Sequence, residues 1–457
     1  MAKFKCKLCN HIFEEGGGVS CNQDFPYPCA GKLYYHDDGV VRCNFIQSHA
    51  FGIARCPNCN AKMPLKECEY VPPPPPLTPE ELANKKRKED REAIYGLIAL
   101  LVIILGVFLA INQPWSRENG ESDAITTSVS AGLWHTVAIT SSGTLWTWGN
   151  NVSGQLGDGT RGIRVNPVRI KNIDIVWVSA GGAHTVAITS SGTLWTWGDN
   201  YSGQLGDGTT TNRVRPVRIM DDVVQVSVGN SHTMAITSDD VLWAWGNNFN
   251  GQLGDGTTTN RIRPVKIMDD VVQVSAGRSH TMAITSDGVL WAWGNNESGQ
   301  VGDGTTTNRG RPVRIMDDVV QVSAGEFHTT ATTSDSILWA WGEDGTITGR
   351  TSPTRIKDDV IKMSTGRHYT MAITSDGTLW AWGCNAYGQL GDGTTTNRIN
   401  PVRIMDDVVQ VSAGFNHTMA ITGDGAFWAW GNNESGRLGD GTTTRRTNPV
   451  RITISER

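Results

Sequence analysis

A Trp-x-Trp-Gly motif that occurs seven times constrains this chain more than any other feature. The Trp pairs stand at 146/148, 195/197, 243/245, 291/293, 339/341, 380/382 and 428/430 and take 14 of the 17 tryptophans. Around each pair sits a longer unit, clearest in the third copy. It runs VVQVSVG (223–229), HTMAIT (232–237), Ser238-Asp239-Asp240, LWAWGNN (242–248), GQLGDGT (251–257) and PVKI (264–267). The residue that opens the HTMAIT segment recurs at His135, His184, His232, His280, His328, Tyr369 and His417. The spacings are 49, 48, 48, 48, 41 and 48 residues, a period that marks propellers, solenoids or arrays.

Each unit is predicted to form four short strands. Val, Ile, Trp and Thr alternate with period two between Asp-Gly and Ser-Gly turn signals, and no part of the unit carries a helical period. In LWAWG the two tryptophans project from one face of the strand; in HTMAIT, His, Met and Ile share one face and Thr, Ala and Thr the other. A sheet with one bulky and one small face packs on the next copy, so seven copies predict an all-β, seven-bladed propeller. The first copy starts at Ile125 without a PVRI segment before it, and the chain ends on PVRI (449–452). Closure by pairing the N- and C-terminal strands into one blade is therefore expected.

These residues resemble the regulator of chromosome condensation repeat family. Its pattern of Gly, His, an Ala-containing strand, Asp-Gly, Trp-x-Trp-Gly-x-Asn and Gly-Gln-Leu-Gly is met nearly in full in six copies, over residues 125–457. The resemblance implies the same seven-bladed propeller. The fifth copy departs from it: EDGTITGRTSP follows Trp341-Gly342, without GQLGDGT, so a shortened outer loop is expected there.

Upstream the composition changes. Eight of the nine cysteines lie in the first 68 residues. Cys6-x-x-Cys9 and Cys56-Pro-Asn-Cys59 are expected to supply four thiolates to one tetrahedral structural zinc, a staple that a segment too small for a large core needs. Disulfides or free thiols are the competing reading. Cys21, Cys29, Cys43 and Cys68, with His36 and His49 nearby, are candidates for a second site. The first quartet resembles a rubredoxin-like zinc ribbon, which gives domain 1–70. Residues 71–92 form a linker, with five prolines (72–76) and then a basic cluster, Lys85, Lys86, Arg87, Lys88 and Arg91.

Ala93 to Ile111 carries no charge and spans about 28 Å as a helix, the length of a transmembrane crossing. Its Lys and Arg flank lies on the N-terminal side, with only Arg117 close behind, so that side is expected in the cytoplasm. The cysteine-rich segment would then sit in a reducing compartment, where metal binding is favoured over disulfides. The expected layout is a cytoplasmic zinc module, one crossing at 93–111, a stalk at 112–124 and an extracellular propeller at 125–457, in a bacterial membrane protein.

Charge excludes one class of partner. Residues 1–92 hold 13 Lys and Arg against 12 Asp and Glu, and the remainder 27 against 33, too few cations for a nucleic-acid binder. No G-x-S-x-G elbow and no phosphate-binding Gly-Lys-Ser/Thr loop is present, so an enzyme is not expected. The copies differ mainly before the marker His and after Trp-Gly-x-Asn. Trp134, Tyr201, Phe249, Phe327, Tyr387 and Phe415 are the aromatic residues there, and varied aromatic loops suit a binding surface. The opposite rim repeats Met-Asp-Asp and Ser-Asp-Gly turns almost unchanged. Turn chemistry, with calcium as the competing reading, accounts for these Asp and for Asp158, Asp207, Asp255, Asp303, Asp392 and Asp440 of the Gly-Asp-Gly loops. The marker histidines suit a hydrogen-bonded scaffold, with metal ligation as the alternative.

The function expected is a membrane-anchored, non-enzymatic scaffold that holds a protein or glycan partner on its aromatic rim. The resemblance also implies two alternatives: guanine-nucleotide exchange on a small GTPase, and inhibition of an extracellular enzyme, since one relative is a secreted β-lactamase inhibitor.

Overall fold

The computed structural model describes residues 126–171, 173–344 and 349–454, together with seven three-residue strands between positions 3 and 71. The chain divides into two compact units, Met1–Ile103 and Ile104–Arg457.

The second unit holds seven four-stranded antiparallel sheets, each made of four strands consecutive in the chain. Blade 3 shows the pattern: Val223–Val228, His232–Thr237, Leu242–Gly246 and Arg261–Met268. The first strands of successive blades neighbour one another around a ring, the last with the first, and so line its centre. The expected seven-bladed, all-β architecture is what forms.

Closure takes a different route from the one expected. The C-terminal strand Arg446–Ile452 pairs with Phe427–Gly431 in its own blade, and Thr126–Ala131 pairs with His135–Thr140 in the first. No strand is exchanged. Each copy already contains four strands that pair with their sequence neighbours, and the ring shuts by packing blade 7 on blade 1. In that seam Met419, Ile421 and Phe427 of blade 7 meet Trp146 and Trp148 of blade 1.

Every seam repeats one packing scheme. Register sets Ala235 opposite Trp243 and Thr233 opposite Trp245, so small side chains share the tryptophan face. Met234, Ile236 and Leu242 occupy the other face. The tryptophan face of one blade lies on the aliphatic face of the blade before it: Trp245 packs with Val186, Ile188 and Leu194, and Trp293 with Met234, Ile236 and Leu242. Trp148, Trp197, Trp245 and Trp293 are fully buried. Each such burial is worth roughly 4–6 kcal/mol gross by area.

A relay pairs the indole N–H, the threonine hydroxyl and the imidazole Nε2 in the seams, while each imidazole Nδ1 is buried without a hydrogen-bond partner. Trp245 Nε1 donates to the Gln204 carbonyl of the preceding blade (2.9 Å), and Thr233 Oγ1 donates to the same oxygen (2.8 Å). His184 Nε2 lies 3.1 Å from Thr233 Oγ1. The single hydroxyl proton is committed to the carbonyl, so the hydroxyl accepts from His184, which is therefore the Nε2–H tautomer. His135, His232, His280, His328 and His417 make the same bond, the last to Thr136 across the closing seam. Tyr369 substitutes a hydroxyl that donates to the His417 carbonyl (2.6 Å) and lies 3.1 Å from Thr418 Oγ1. Burial holds the imidazoles neutral: His135, His184 and His280 are pushed down to about 3, His232 and His328 to about 4.

Blade 5 reaches its outer strand, Arg350–Lys357, directly after Leu338–Gly342 through a shortened connection, as its sequence requires. In the first unit, Lys3–Lys5 pairs with Ile12–Glu14 and Glu69–Val71, Leu33–Tyr35 with Val41–Cys43, and Ile53–Arg55 with Lys62–Pro64. Cys6, Cys9, Cys21, Cys29, Cys56, Cys59 and Cys68 lie outside the described residues, as do Ala93–Ile111, the linker from 72 to 92 and the stalk. Cys43 ends a described strand. Among the described residues there is no helix long and apolar enough to cross a membrane.

Replacing Trp245 with Ala should cost about 3–5 kcal/mol of stability and free the Gln204 carbonyl of one donor; half-buried Trp243→Ala should cost less. Chemical denaturation of both variants checks this order. The pH dependence follows from the histidines. Above pH 6.5 they are neutral whether folded or not, and stability is at its full value. Below it the unfolded chain takes up protons the ring refuses, and each histidine removes about 1.4 kcal/mol per pH unit until the folded values near 3 to 4 are reached. The thermal midpoint should therefore fall steadily from pH 6.5 to 5, and less steeply in His232→Tyr, which copies the arrangement at Tyr369.

Candidate functional site

Antiparallel pairing brings the two varied loops of each copy to one end of its blade. His232 pairs with Gly246, and Asn247 N donates to the Ser231 carbonyl (2.8 Å). Gly246 has φ 101°, and a side chain there would meet the Ser231 carbonyl at 2.6 Å. One face of the ring thus carries all the varied positions, as the repeat pattern implies.

The six aromatic candidates do not form one site. Tyr201 and Phe249 stand on outer loops and are 85% and 79% exposed. Tyr387 is out of register with them. Its N–H donates to Gln389 Oε1 as Ser202 N–H does to Gln204 Oε1, so Ala386 takes the place of Tyr201 and Tyr387 is half-buried. Trp134 and Phe415 lie together at the axial mouth of the ring, over a cavity of about 410 Å³, and Phe327 stands beside Arg278, which lines the same cavity.

Backbone packing builds the mouth. Leu133 N donates to Gly181 O (3.1 Å), Arg278 N to Gly325 O (3.1 Å) and Phe415 N to Gly132 O (3.3 Å); Gly182 and Glu326 are tied to the next blade's glycine in the same way, while Asn230 N donates to Arg278 O (3.4 Å). A Cβ on Gly132 would sit 2.6 Å from Gly181 O, which keeps the position side-chain free.

On this uniform base stands an asymmetric belt. Arg437 lies over Trp134 (4.8 Å), Trp134 meets Phe415 (5.5 Å), and Arg367 lies over Phe415 (4.5 Å). Arg367 pairs with Glu326 (3.1 Å), Glu326 with Arg278, Arg278 lies over Phe327 (5.4 Å), and Phe327 stacks on His368 (5.0 Å). Cation–π contacts of this kind contribute about 0.5–2 kcal/mol each. The belt covers blades 4 to 7 and 1. On blades 2 and 3 the equivalent residues are Gly182-Ala183 and Asn230-Ser231, which leave that side of the mouth low.

Its charged members were not singled out by the sequence reading. Arg278, Glu326 and Arg367 sit among the varied pairs before the marker residue, and that clustering was their signal. Arg437 replaces the Gln found at 155, 204, 252, 300 and 389. Its carbonyl still serves the seam, accepting from Trp148 Nε1 and Thr136 Oγ1, while its Nη1 donates to the Leu133 carbonyl (3.1 Å). Burial pushes its guanidinium down to about 10, so it stays charged at neutral pH.

The repeated acids and histidines are scaffold. Asp158 Oδ1 accepts from Asn151 Nδ2 and from Thr160 N and Oγ1, and Oδ2 pairs with Arg164. Asp207, Asp255, Asp303, Asp392 and Asp440 repeat the ion pair. On the other rim Asp221 pairs with Arg218, and Asp222 takes the turn at φ 60°. Among the described residues no group of three or more His, Cys, Asp or Glu is placed to hold a metal.

The geometry has counterparts. Human WBSCR16 shares the fold (23% identity, TM-score 0.60, 68% of this chain and 94% of that one). So do yeast RCC1 (Prp20) in its structure bound to Kap60 (20%, 0.62, 75% and 91%) and Prp20p from Saccharomyces cerevisiae, described with its binding properties to Gsp1p and histones (21%, 0.61, 74% and 90%). At these identities the likeness is one of fold alone. No curated protein matches the chain by sequence. The family model for the RCC1-like domain matches residues 110–348 and 221–457, which together take in every blade; the chain belongs to the RCC1-like domain family.

Proposed function

We propose that this chain is a non-enzymatic binding protein whose ring holds a protein partner on the face of the axial mouth. The observation that carries the reading is the belt from Arg437 to His368. It places Trp134, Phe327, Phe415 and three arginines on one side of a mouth whose other side is low. Aromatics and arginines around a recess are the residue types that concentrate binding energy between proteins. Tyr201 and Phe249 extend the same face outward. The opposite rim spends its acids on turns and ion pairs. Partner binding recorded for yeast RCC1 and Prp20p accords with a protein partner.

The propeller is held at a membrane by Ala93–Ile111, with the N-terminus in the cytoplasm and the ring outside. This rests on the uncharged run and its basic flank. The zinc reading rests on spacing: Cys6 and Cys9 fall between the paired strands Lys3–Lys5 and Ile12–Glu14, and Cys56 and Cys59 between Ile53–Arg55 and Lys62–Pro64. Two hairpins that each close on a Cys-x-x-Cys suit one structural zinc. A ring outside the cell is separated from cytoplasmic small GTPases, which makes binding the better reading than nucleotide exchange.

The docking face is tested by capture from cell-surface extracts with the full chain and with the Trp134→Ala/Phe327→Ala/Phe415→Ala variant, after matching their thermal midpoints. A partner kept by the first and lost by the second is expected; equal capture contradicts the reading. Protease added to intact cells should degrade the ring, and degradation only after lysis would overturn the topology.

A further inference from the structure

Building on docking at the axial mouth, we propose that the partner inserts an extended segment whose Asp or Glu carboxylate is held between Arg278 and Arg367. The two guanidiniums line the cavity and their side chains are 48% and 39% exposed, while Glu326 between them is 5% exposed. Glu326 Oε1 accepts a hydrogen bond from Arg278 Nη1, while its Oε2 faces Arg367 Nε at 3.1 Å as an ion pair without hydrogen-bond geometry. A guanidinium offers five N–H donors in a planar fork matched to a carboxylate. Glu326 therefore aligns the pair without exhausting it, and two cations face one anion.

The same observations select the ligand class. A cavity of about 410 Å³ admits side chains of an extended strand and no folded domain. Residues 93–457 carry 33 acids against 27 bases, so a polyanion such as nucleic acid meets a repelling field over the rest of the ring. A single carboxylate meets only the local arginine pair. Phe415 lines the cavity beside Arg367, and Phe327 lies against Arg278, so each arginine has an apolar neighbour for residues flanking the acid. Glu326 has a second effect: as a resident anion it competes with the incoming one.

The test is fluorescence anisotropy of the full chain with a labelled Ala-Phe-Glu-Phe-Ala peptide and its Ala-Phe-Gln-Phe-Ala counterpart. The Glu peptide should bind about tenfold more tightly, as expected for a charge-paired contact, and the difference should shrink in salt. Arg278→Ala or Arg367→Ala should abolish the preference, Arg278→Lys should keep part of it, and Glu326→Gln should tighten the Glu peptide alone. Thermal midpoints verify that each variant folds. Equal binding of the two peptides, or a preference indifferent to both arginines, overturns the proposal. If the Glu peptide shows no preference while Trp134→Ala/Phe327→Ala/Phe415→Ala still loses the captured partner, the carboxylate inference falls and the docking face stands. If neither effect is seen, both fall.

Discussion

In six of the seven seams a single carbonyl oxygen receives both a buried indole and a buried hydroxyl, and this shared acceptor holds the ring together. In the seam between blades 2 and 3 the Gln204 oxygen receives both the Trp245 indole and the Thr233 hydroxyl, and the hydroxyl in turn receives His184. Three buried polar groups are satisfied at one point, which lets a fully buried tryptophan sit between sheets without leaving its N–H unpaired. The relay requires neutral histidine, and burial supplies that condition. It also fixes which blade meets which face, because the acceptor belongs to one blade and the donors to the next.

Stability that resides in the seams leaves the loops free to differ. The glycine circle at the mouth is uniform because a side chain would strike the next blade's carbonyl, as at Gly132. The residues just beyond it carry no such restriction, and there the copies place Arg278, Glu326, Phe327, Arg367, Phe415 and Trp134. Pseudo-sevenfold architecture thereby presents a one-sided surface. Arg437 links the two levels: its main chain serves the closing seam and its side chain props Trp134.

Much of this was legible in the sequence. Period-two alternation and the 48-residue repeat sufficed for seven four-stranded sheets, because each hairpin pairs with its neighbour in the chain. The pairing of Trp243 with Ala235 and of Met234 with Ala244 follows from the same alternation. Closure was misread for a physical reason: an open ring was assumed to need strand exchange, whereas Trp148, Thr136 and His417 close the seventh seam with the chemistry of the other seams. Tyr387 was misplaced because one residue of register changes the side of a tight turn on which a side chain falls. The arginine–glutamate belt was hidden because its members come from different copies, and spatial neighbourhood around an axis leaves no mark on local spacing.

The relay as a whole rests on the protonation of six imidazoles. Nitrogen-15 chemical shifts of histidine-labelled protein at pH 6 measure it directly. The account predicts that the six imidazoles do not titrate between pH 7 and 5 and that those of His135, His184, His232, His280 and His417 are Nε2–H tautomers. Six histidines protonating near pH 6.5, or these five carrying the proton on Nδ1, would contradict it.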